Sequence, residues 1–432
     1  MSAAAIVVLA LIAVLLGTSL WVSLSLFSVG VGALSIFRSM PVDKLLAQSL
    51  WNTVTSPELL ALPLFILMAE ILFGTRLSDQ LLRGLTPWAS LLPGRLAHIN
   101  VLSCSLFATV SGSSAATTAT VGRITLDELL SRGYDRALVT GSLAGAGTLG
   151  FLIPPSIVMI IYAVLAEVSL LRLFLAGIVP GLVMVLAFTG YIAVRCLINP
   201  SLMPADQSDF SWRERFAAIR HLLPVILLMV MVLGSMYGGI ASPTEAAAMG
   251  VFGALLLALF SGTLSGRTLL VAFHGAARTS SMIGLIVAGA GFLSVAMGYL
   301  GIPRAIASAI SALELTPYAL ILLLVLFYLV LGFVLEGLST LVLTLPITLP
   351  LVVQAGFDPV WFGVFVVVTI ETAQITPPVG FNLFVIQSLT RQSIGRIALD
   401  ALPFLSIMVV VAALLALFPE LALWLPNMVF DR

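Results

Sequence analysis

The sequence predicts an all-α polytopic membrane protein made of two inverted-topology repeats, each with a re-entrant helical hairpin and a discontinuous double-proline helix. The composition, 60% hydrophobic and 9% charged, lies outside the range of soluble globular proteins. Two pairs of adjacent prolines interrupt apolar segments long enough to cross a bilayer. Pro154 lies 223 residues before Pro377, and the same spacing separates Pro180 from Pro403. This recurrence predicts an internal repeat.

The first repeat is predicted to occupy residues 1–195. Its scaffold spans lie within residues 1–75. We interpret the opening stretch MSAAAIVVLALIAVLLG as a retained span, because it lacks the basic residues that begin a signal peptide. Residues 42–55 are predicted to form an interfacial helix, because their apolar side chains share one helical face. A hairpin at 97–133 and a broken helix at 136–166 complete the repeat.

A polar linker at 196–221 divides the chain near its middle, and its basic residues favour the cytoplasmic side. An odd number of full crossings in the first repeat would make the second repeat enter the membrane from the opposite face. The second repeat is predicted to occupy residues 222–432, with the same order of elements. Its scaffold spans lie at 222–300 and include an interfacial helix at 265–278. A hairpin at 317–356 and a broken helix at 358–390 follow.

The interrupted helices predict two cation sites. A proline removes a backbone hydrogen bond, and a carbonyl freed in this way is tolerated within a bilayer where it faces protein, water or an ion. Sodium takes oxygen ligands, which carbonyl and hydroxyl groups supply. The first site combines the first hairpin tip with the first break: Ser111, Gly112, Ser113, Ser114, Gly147, Thr148, Gly150 and Pro154. The second combines the corresponding tip and break: Glu336, Gly337, Ser339, Thr340, Thr372, Gln374, Thr376 and Pro377.

The small residues of the tips have an alternative interpretation, because Gly, Ser and Ala also allow helices to pack closely in membranes. The joint occurrence of a polar tip and a double-proline break in both halves favours a binding site. Thr148 and the neighbouring carbonyl groups are expected to face the first tip.

A substrate site is predicted beside the cation sites. Half-helices that begin at Pro155 and Pro378 would direct their positive dipole ends at an anionic group, for which a carboxylate is the expected choice. Ser113 and Asn382 are candidate side-chain contacts. The alternative for Asn382 is a hydrogen bond between helices.

Three acidic residues lie in apolar surroundings. Glu336 and Glu371 adjoin the second tip and the second break, where a charged group is a functional candidate by default. Either carboxylate could balance a cation's charge, carry a proton, or lie solvated near a hairpin mouth. Glu70, within the third span, is expected to make a structural contact or a contact with a partner subunit.

Other classes of function have no motif in their favour. The sequence contains no catalytic triad, zinc-binding or phosphate-binding motif, so we expect neither an enzyme, nor a transition-metal site, nor a cofactor other than a coupling ion. Formal charge is balanced at zero without a basic run, so we do not expect nucleic acid as a partner. Cys104 and Cys196 are predicted to be small buried residues.

Four segments resemble the large membrane subunit of tripartite ATP-independent periplasmic (TRAP) transporters, within the wider ion-transporter superfamily. They are SGSSAATTATVG at 111–122, GTLGFLIPPSIVMIIYAVLAEVS at 147–169, LFLAGIVPG at 173–181 and AQITPPVGFNLFVIQ at 373–387. The family's cation sites correspond here to the two tips and the two breaks. One departure is Glu336, at a position where such proteins often have Asp, so the side chain here is longer.

The resemblance implies a multi-pass protein of the bacterial inner membrane. It implies sodium-coupled uptake of a small organic acid, such as a C4-dicarboxylate, by an elevator motion of hairpins and broken helices against a scaffold. The implied partners are a small four-helix membrane subunit, a soluble periplasmic substrate-binding protein and membrane lipid. Three alternatives stay open: a self-sufficient sodium or proton symporter for carboxylates, a channel, and a purely structural subunit.

Overall fold

The structure, a computed structural model, describes residues 3–18, 20–204, 210–311, 316–333, 335–378 and 380–430. All regular elements in these ranges are helices, which confirms the predicted all-helical fold. Six of them are long and apolar enough to cross a membrane, or up to eight when each of two bent helix pairs is counted as one span.

Helices of the first half carry the labels α1 to α11. They are α1 (Ala3–Gly17), α2 (Val22–Phe37), α3 (Val42–Val54), α4 (Pro57–Phe73), α5 (Leu77–Ala89), α6 (Ile99–Ser111), α7 (Ser114–Ser131), α8 (Arg136–Gly147), α9 (Leu149–Leu152), α10 (Ile157–Ala166) and α11 (Leu170–Ile198). The second half contains α12 (Trp212–Tyr237), α13 (Pro243–Phe260), α14 (Gly266–Leu300), α15 (Ile302–Ser311), α16 (Pro317–Gly332), α17 (Gly337–Gln354), α18 (Pro359–Gln374), α19 (Phe381–Thr390), α20 (Ile394–Leu417) and α21 (Glu420–Phe430).

Helix boundaries recur between the two halves at the spacing seen in the sequence. Helices α7 and α17 each have 18 residues, and their first residues, Ser114 and Gly337, are 223 positions apart. Helices α8 and α18 begin at Arg136 and Pro359, again 223 positions apart. The order and the starting positions of these elements therefore repeat. The inverted orientation of the two halves stays a prediction.

The two halves differ in the scaffold. Helices α3 and α4 meet at a bend of 56°, whereas α14 runs without a break for 35 residues. The predicted separate interfacial helix at 265–278 is therefore wrong, because these residues are the beginning of α14. The difference follows from one residue: Pro57 disfavours a helical conformation at Ser56, while Ser280, at the position of Pro57, does not.

Predicted boundaries also change at the linker and at the two half-helices. Helix α11 continues to Ile198 and α12 begins at Trp212, so the linker is shorter than 196–221. The second segments of the broken helices begin at Ile157 and Phe381, not at Pro155 and Pro378. In the first of them, the side chain of Ser156 caps the helix by accepting a hydrogen bond from the Met159 N–H group.

Helix packing forms two groups, which contact each other where α10 meets α4 and where α14 meets α17. Helices α2, α3, α4, α13 and α14 pack together, while the hairpins and broken helices pack with α11 and α20. A cavity of about 540 Å³ lies where these groups face each other, and its lining includes Asn52 and Ser294 of the first group and Glu167 and Pro346 of the second. The hairpin tips thus belong to one packed bundle.

Candidate functional site

The tip of the first hairpin packs directly on the first break. Gly112, which ends α6, has a φ of +57°, and a Cβ atom there would lie 3.0 Å from the carbonyl oxygen of Pro155. The backbone N–H of Ile157 donates a hydrogen bond of 3.3 Å to the carbonyl oxygen of Gly112. The tip therefore supplies a hydrogen-bond acceptor to a backbone N–H group that follows the break. The close approach and the positive φ together require glycine at position 112.

Two further glycines allow the same close approach. A Cβ atom on Gly150 would lie 2.5 Å from the carbonyl oxygen of Ser113, and one on Gly147 would overlap the side chain of Thr118. Gly147 and Gly150 therefore allow the first break to pack closely against the tip. Close packing brings backbone and hydroxyl oxygens near one another, which is also compatible with a cation site.

The hydroxyl groups of the first tip form a local network. The oxygens of Ser111 and Thr117 are 2.6 Å apart, and Ser113 Oγ accepts a hydrogen bond of 3.4 Å from the N–H of Ala116. Thr148 does not join them. Its hydroxyl donates to the carbonyl oxygen of Gly145 and lies 3.7 Å from Met408 Sδ, so the expectation that it faces the tip is wrong.

The second tip is organised by Glu336. Its carboxylate oxygens accept hydrogen bonds from the N–H groups of Leu338, at 3.1 Å, and Ser339, at 3.4 Å, so that Glu336 caps α17. The hydroxyl of Thr340 donates to the Glu336 carbonyl oxygen. A Cβ atom on Gly337 would lie 3.0 Å from the ring of Phe151, so this tip also touches the first break.

The second break contacts its own tip through Gln374, whose Nε2 lies 3.5 Å from the carbonyl oxygen of Leu335. The other polar residues of this break use their hydroxyl protons within the helix. Thr372 donates to Val368 and Thr376 donates to Thr372, both at 2.7 Å. Thr372 borders an apolar groove of about 320 Å³ between α16, α18 and α20.

A buried polar node joins the two predicted sites. Ser114, on the first tip, donates a hydrogen bond of 2.9 Å to Glu371 Oε2, and Asn382 Nδ2 donates one of 2.6 Å to Ser114 Oγ. Glu371 lies in α18 and Asn382 in α19, so the first tip contacts both segments of the second broken helix. The predicted tips, breaks and Asn382 therefore lie together at one place.

The partner of Glu371 is not evident from the sequence. An acidic residue inside an apolar helix is a detectable signal, but its hydrogen-bond partner Ser114 is 257 positions away in the chain. The prolines occupy the breaks as predicted. Both proline pairs, Pro154–Pro155 and Pro377–Pro378, contain a cis peptide bond.

The fold and the joined breaks define a polytopic membrane protein with the architecture of known transporters. The solved structure of the YdaH transporter of Alcanivorax borkumensis superimposes with a TM-score of 0.64 at 16% identity, covering 88% of each chain. That likeness concerns the fold.

The family follows from sequence comparison. Residues 6–421 match the sequence profile described as "Tripartite ATP-independent periplasmic transporter, DctM component". The C4-dicarboxylate TRAP transporter large permease protein DctM of Pseudomonas aeruginosa is 36% identical over 402 residues, 92% of each chain. The ectoine TRAP transporter large permease protein TeaC of Halomonas elongata is 32% identical, over 96% of this chain and 97% of its own. The chain belongs to the TRAP transporter large permease family.

Proposed function

We propose that this chain is the large permease subunit of a TRAP transporter that couples uptake of a small organic acid to a sodium gradient. The observation that carries the proposal is the packing of each hairpin tip on a helix break. At the first break, the tip and the broken helix meet with backbone oxygens and hydroxyl groups at close range. Such groups bind sodium without the desolvation cost of additional charges.

The substrate is proposed to be a carboxylate bound beside the sodium sites. The relatives are named for C4-dicarboxylates and for ectoine, both of which contain a carboxylate group. The N-terminal ends of α10 and α19 adjoin the breaks, and the positive ends of their helix dipoles favour an anion there. Asn382 is less suited to direct substrate contact, because its side chain is buried against Ser114.

Transport is proposed to occur by an elevator motion. Hairpins and broken helices form one packed group, and the cavity of about 540 Å³ separates part of it from the scaffold. A group that moves as a unit keeps its bound ions while it changes sides. A small membrane subunit and a soluble periplasmic binding protein are proposed as partners, in the bacterial inner membrane, because the family is defined by tripartite systems.

The test is uptake into proteoliposomes that contain this chain, its small subunit and its binding protein. We expect a radiolabelled C4-dicarboxylate to accumulate with an inward sodium gradient and to stop accumulating when potassium replaces sodium. Uptake that is independent of sodium would contradict the coupling. Uptake by the chain alone would indicate a self-sufficient symporter, and single-channel currents would indicate a channel.

A further inference from the structure

Two side-chain oxygens at the centre of the bundle have no hydrogen-bond partner among the residues that the structure describes. They are Glu371 Oε1 and Asn382 Oδ1, and each residue is only 1% exposed. A buried polar atom without a partner is costly, and a buried charge without one is more so. These two atoms therefore indicate that a group able to interact with oxygen belongs beside them.

Both residues meet at the hydroxyl group of Ser114. Its oxygen accepts from Asn382 Nδ2, donates to Glu371 Oε2, and lies 3.2 Å from the carbonyl oxygen of Gly147. A serine hydroxyl has one proton. The shorter contact, to Glu371, uses that proton, and the Gly147 carbonyl keeps its lone pairs. Oxygen-bearing groups from both halves of the chain are thus gathered around one side chain.

Two acidic side chains, Glu336 and Glu371, belong to the second tip and the second broken helix. The carboxyl group of Glu336 is already held by the N-terminal N–H groups of α17. Within the described ranges, no basic side chain forms an ion pair with Glu371. A buried carboxylate that lacks a positive partner favours a bound cation, because the cation offsets the desolvation of the charge.

We propose that Glu371 and Asn382 complete the first cation site, so that one sodium ion is bound jointly by the first tip and by both segments of the second broken helix. The inference rests on the proposed function and adds to it that the site is shared between the repeats. Glu371 supplies the charge, and Asn382 Oδ1, Ser114 Oγ and the Gly147 carbonyl supply neutral ligands. Sodium binding would then fix the first hairpin to α18 and α19.

The test measures sodium binding without transport, through the thermal unfolding midpoint of the purified chain in increasing sodium at constant ionic strength. A ligand that binds the folded state raises this midpoint. We expect Glu371→Gln and Asn382→Ala each to raise the sodium concentration for half of the shift by about tenfold or more, which corresponds to about 1.4 kcal/mol of binding free energy.

Two matched variants control for loss of a buried polar group. Glu70→Gln removes a half-buried carboxylate that lies against Gly275 in the scaffold, and Asn100→Ala removes a fully buried amide that bonds to Val139 and Ser142. We expect both controls to respond to sodium within about twofold of the wild-type protein, since neither residue contacts the tips.

The outcomes separate the inference from the proposed function. A normal sodium response in both Glu371→Gln and Asn382→Ala overturns the inference and leaves sodium coupling intact. The same normal response is expected if a proton neutralises Glu371, because glutamine resembles the protonated side chain. A wild-type protein that does not respond to sodium overturns both. If Glu371→Gln does not fold, Glu371→Asp replaces it, and its shorter side chain is expected to weaken the response.

Discussion

The two breaks have the same double-proline sequence but different surroundings. In the first, Pro154 and Pro155 are buried beneath the tip, and a backbone hydrogen bond joins the tip to the start of α10. In the second, Pro377 and Pro378 are exposed, and the hydrogen bond described between the tip and the break is the long one from Gln374. A repeated motif thus specifies that the helix breaks, whereas the neighbouring side chains decide how tightly the tip covers it.

Side-chain size explains part of the difference. Gly150 in the first break allows the backbone of Ser113 to approach, whereas the residue 223 positions later is Ala373. The methyl group of Ala373 faces Gly332, which precedes the second tip. The glycine at this contact therefore lies in the break in the first half of the chain and in the hairpin in the second half. The two sites are therefore related by sequence but are not equivalent in packing.

The largest effect is expected from Gly150→Ala. The added Cβ atom would lie 2.5 Å from the Ser113 carbonyl oxygen, so the first tip must move off the break. Overpacking of this kind costs about 1–3 kcal/mol. We expect sodium-driven uptake in proteoliposomes to fall at least about tenfold. Gly190→Ala is the matched control, because a Cβ atom there meets nothing within 4 Å; equal uptake by the two variants would contradict the account.

The difference in exposure predicts different chemical accessibility of the two breaks. Ser156 is fully buried, whereas Thr376 is partly exposed, and both native cysteines are buried. We expect a hydrophilic thiol reagent to modify Thr376→Cys at least about tenfold faster than Ser156→Cys in the absence of substrate. Equal rates, measured by mass spectrometry of the reconstituted protein, would show that the first tip does not cover its break.

A smaller effect is expected from Ser113→Ala. Its hydroxyl caps α7 and lies at the first tip, and loss of an N-cap typically costs about 1 kcal/mol. We expect the sodium concentration for half-maximal uptake to rise by about threefold to tenfold. Ser388→Ala, an exposed serine on α19 that bonds to its own helix, is the control and should leave this concentration unchanged.

The smallest effect is expected from Thr372→Ala. The sequence pattern included this residue in the second cation site, but its hydroxyl donates to Val368 and its side chain borders the apolar groove. We expect the sodium dependence of uptake to change by less than about twofold. A change as large as that of Ser113→Ala would restore Thr372 as a sodium ligand and would require the second break to rearrange.

The sequence was informative where local chemistry decides the structure. Prolines, glycines and apolar length located the hairpins and the breaks, because these residues act on their own backbone. It was uninformative about side-chain direction. Thr148 and Thr372 have suitable chemistry, but hydrogen bonds within their helices decide where their hydroxyls lie. The contact between Ser114 and Glu371 depends on the packing of two halves and has no local signature.

The most direct test of the central claim is an experimental density map of the reconstituted transporter in sodium and in a large organic cation. We predict a density peak surrounded by oxygen atoms at each tip in sodium, with the peak at the first tip also touching Glu371, and no peak in the organic cation. Maps without such peaks at either tip in sodium would contradict it.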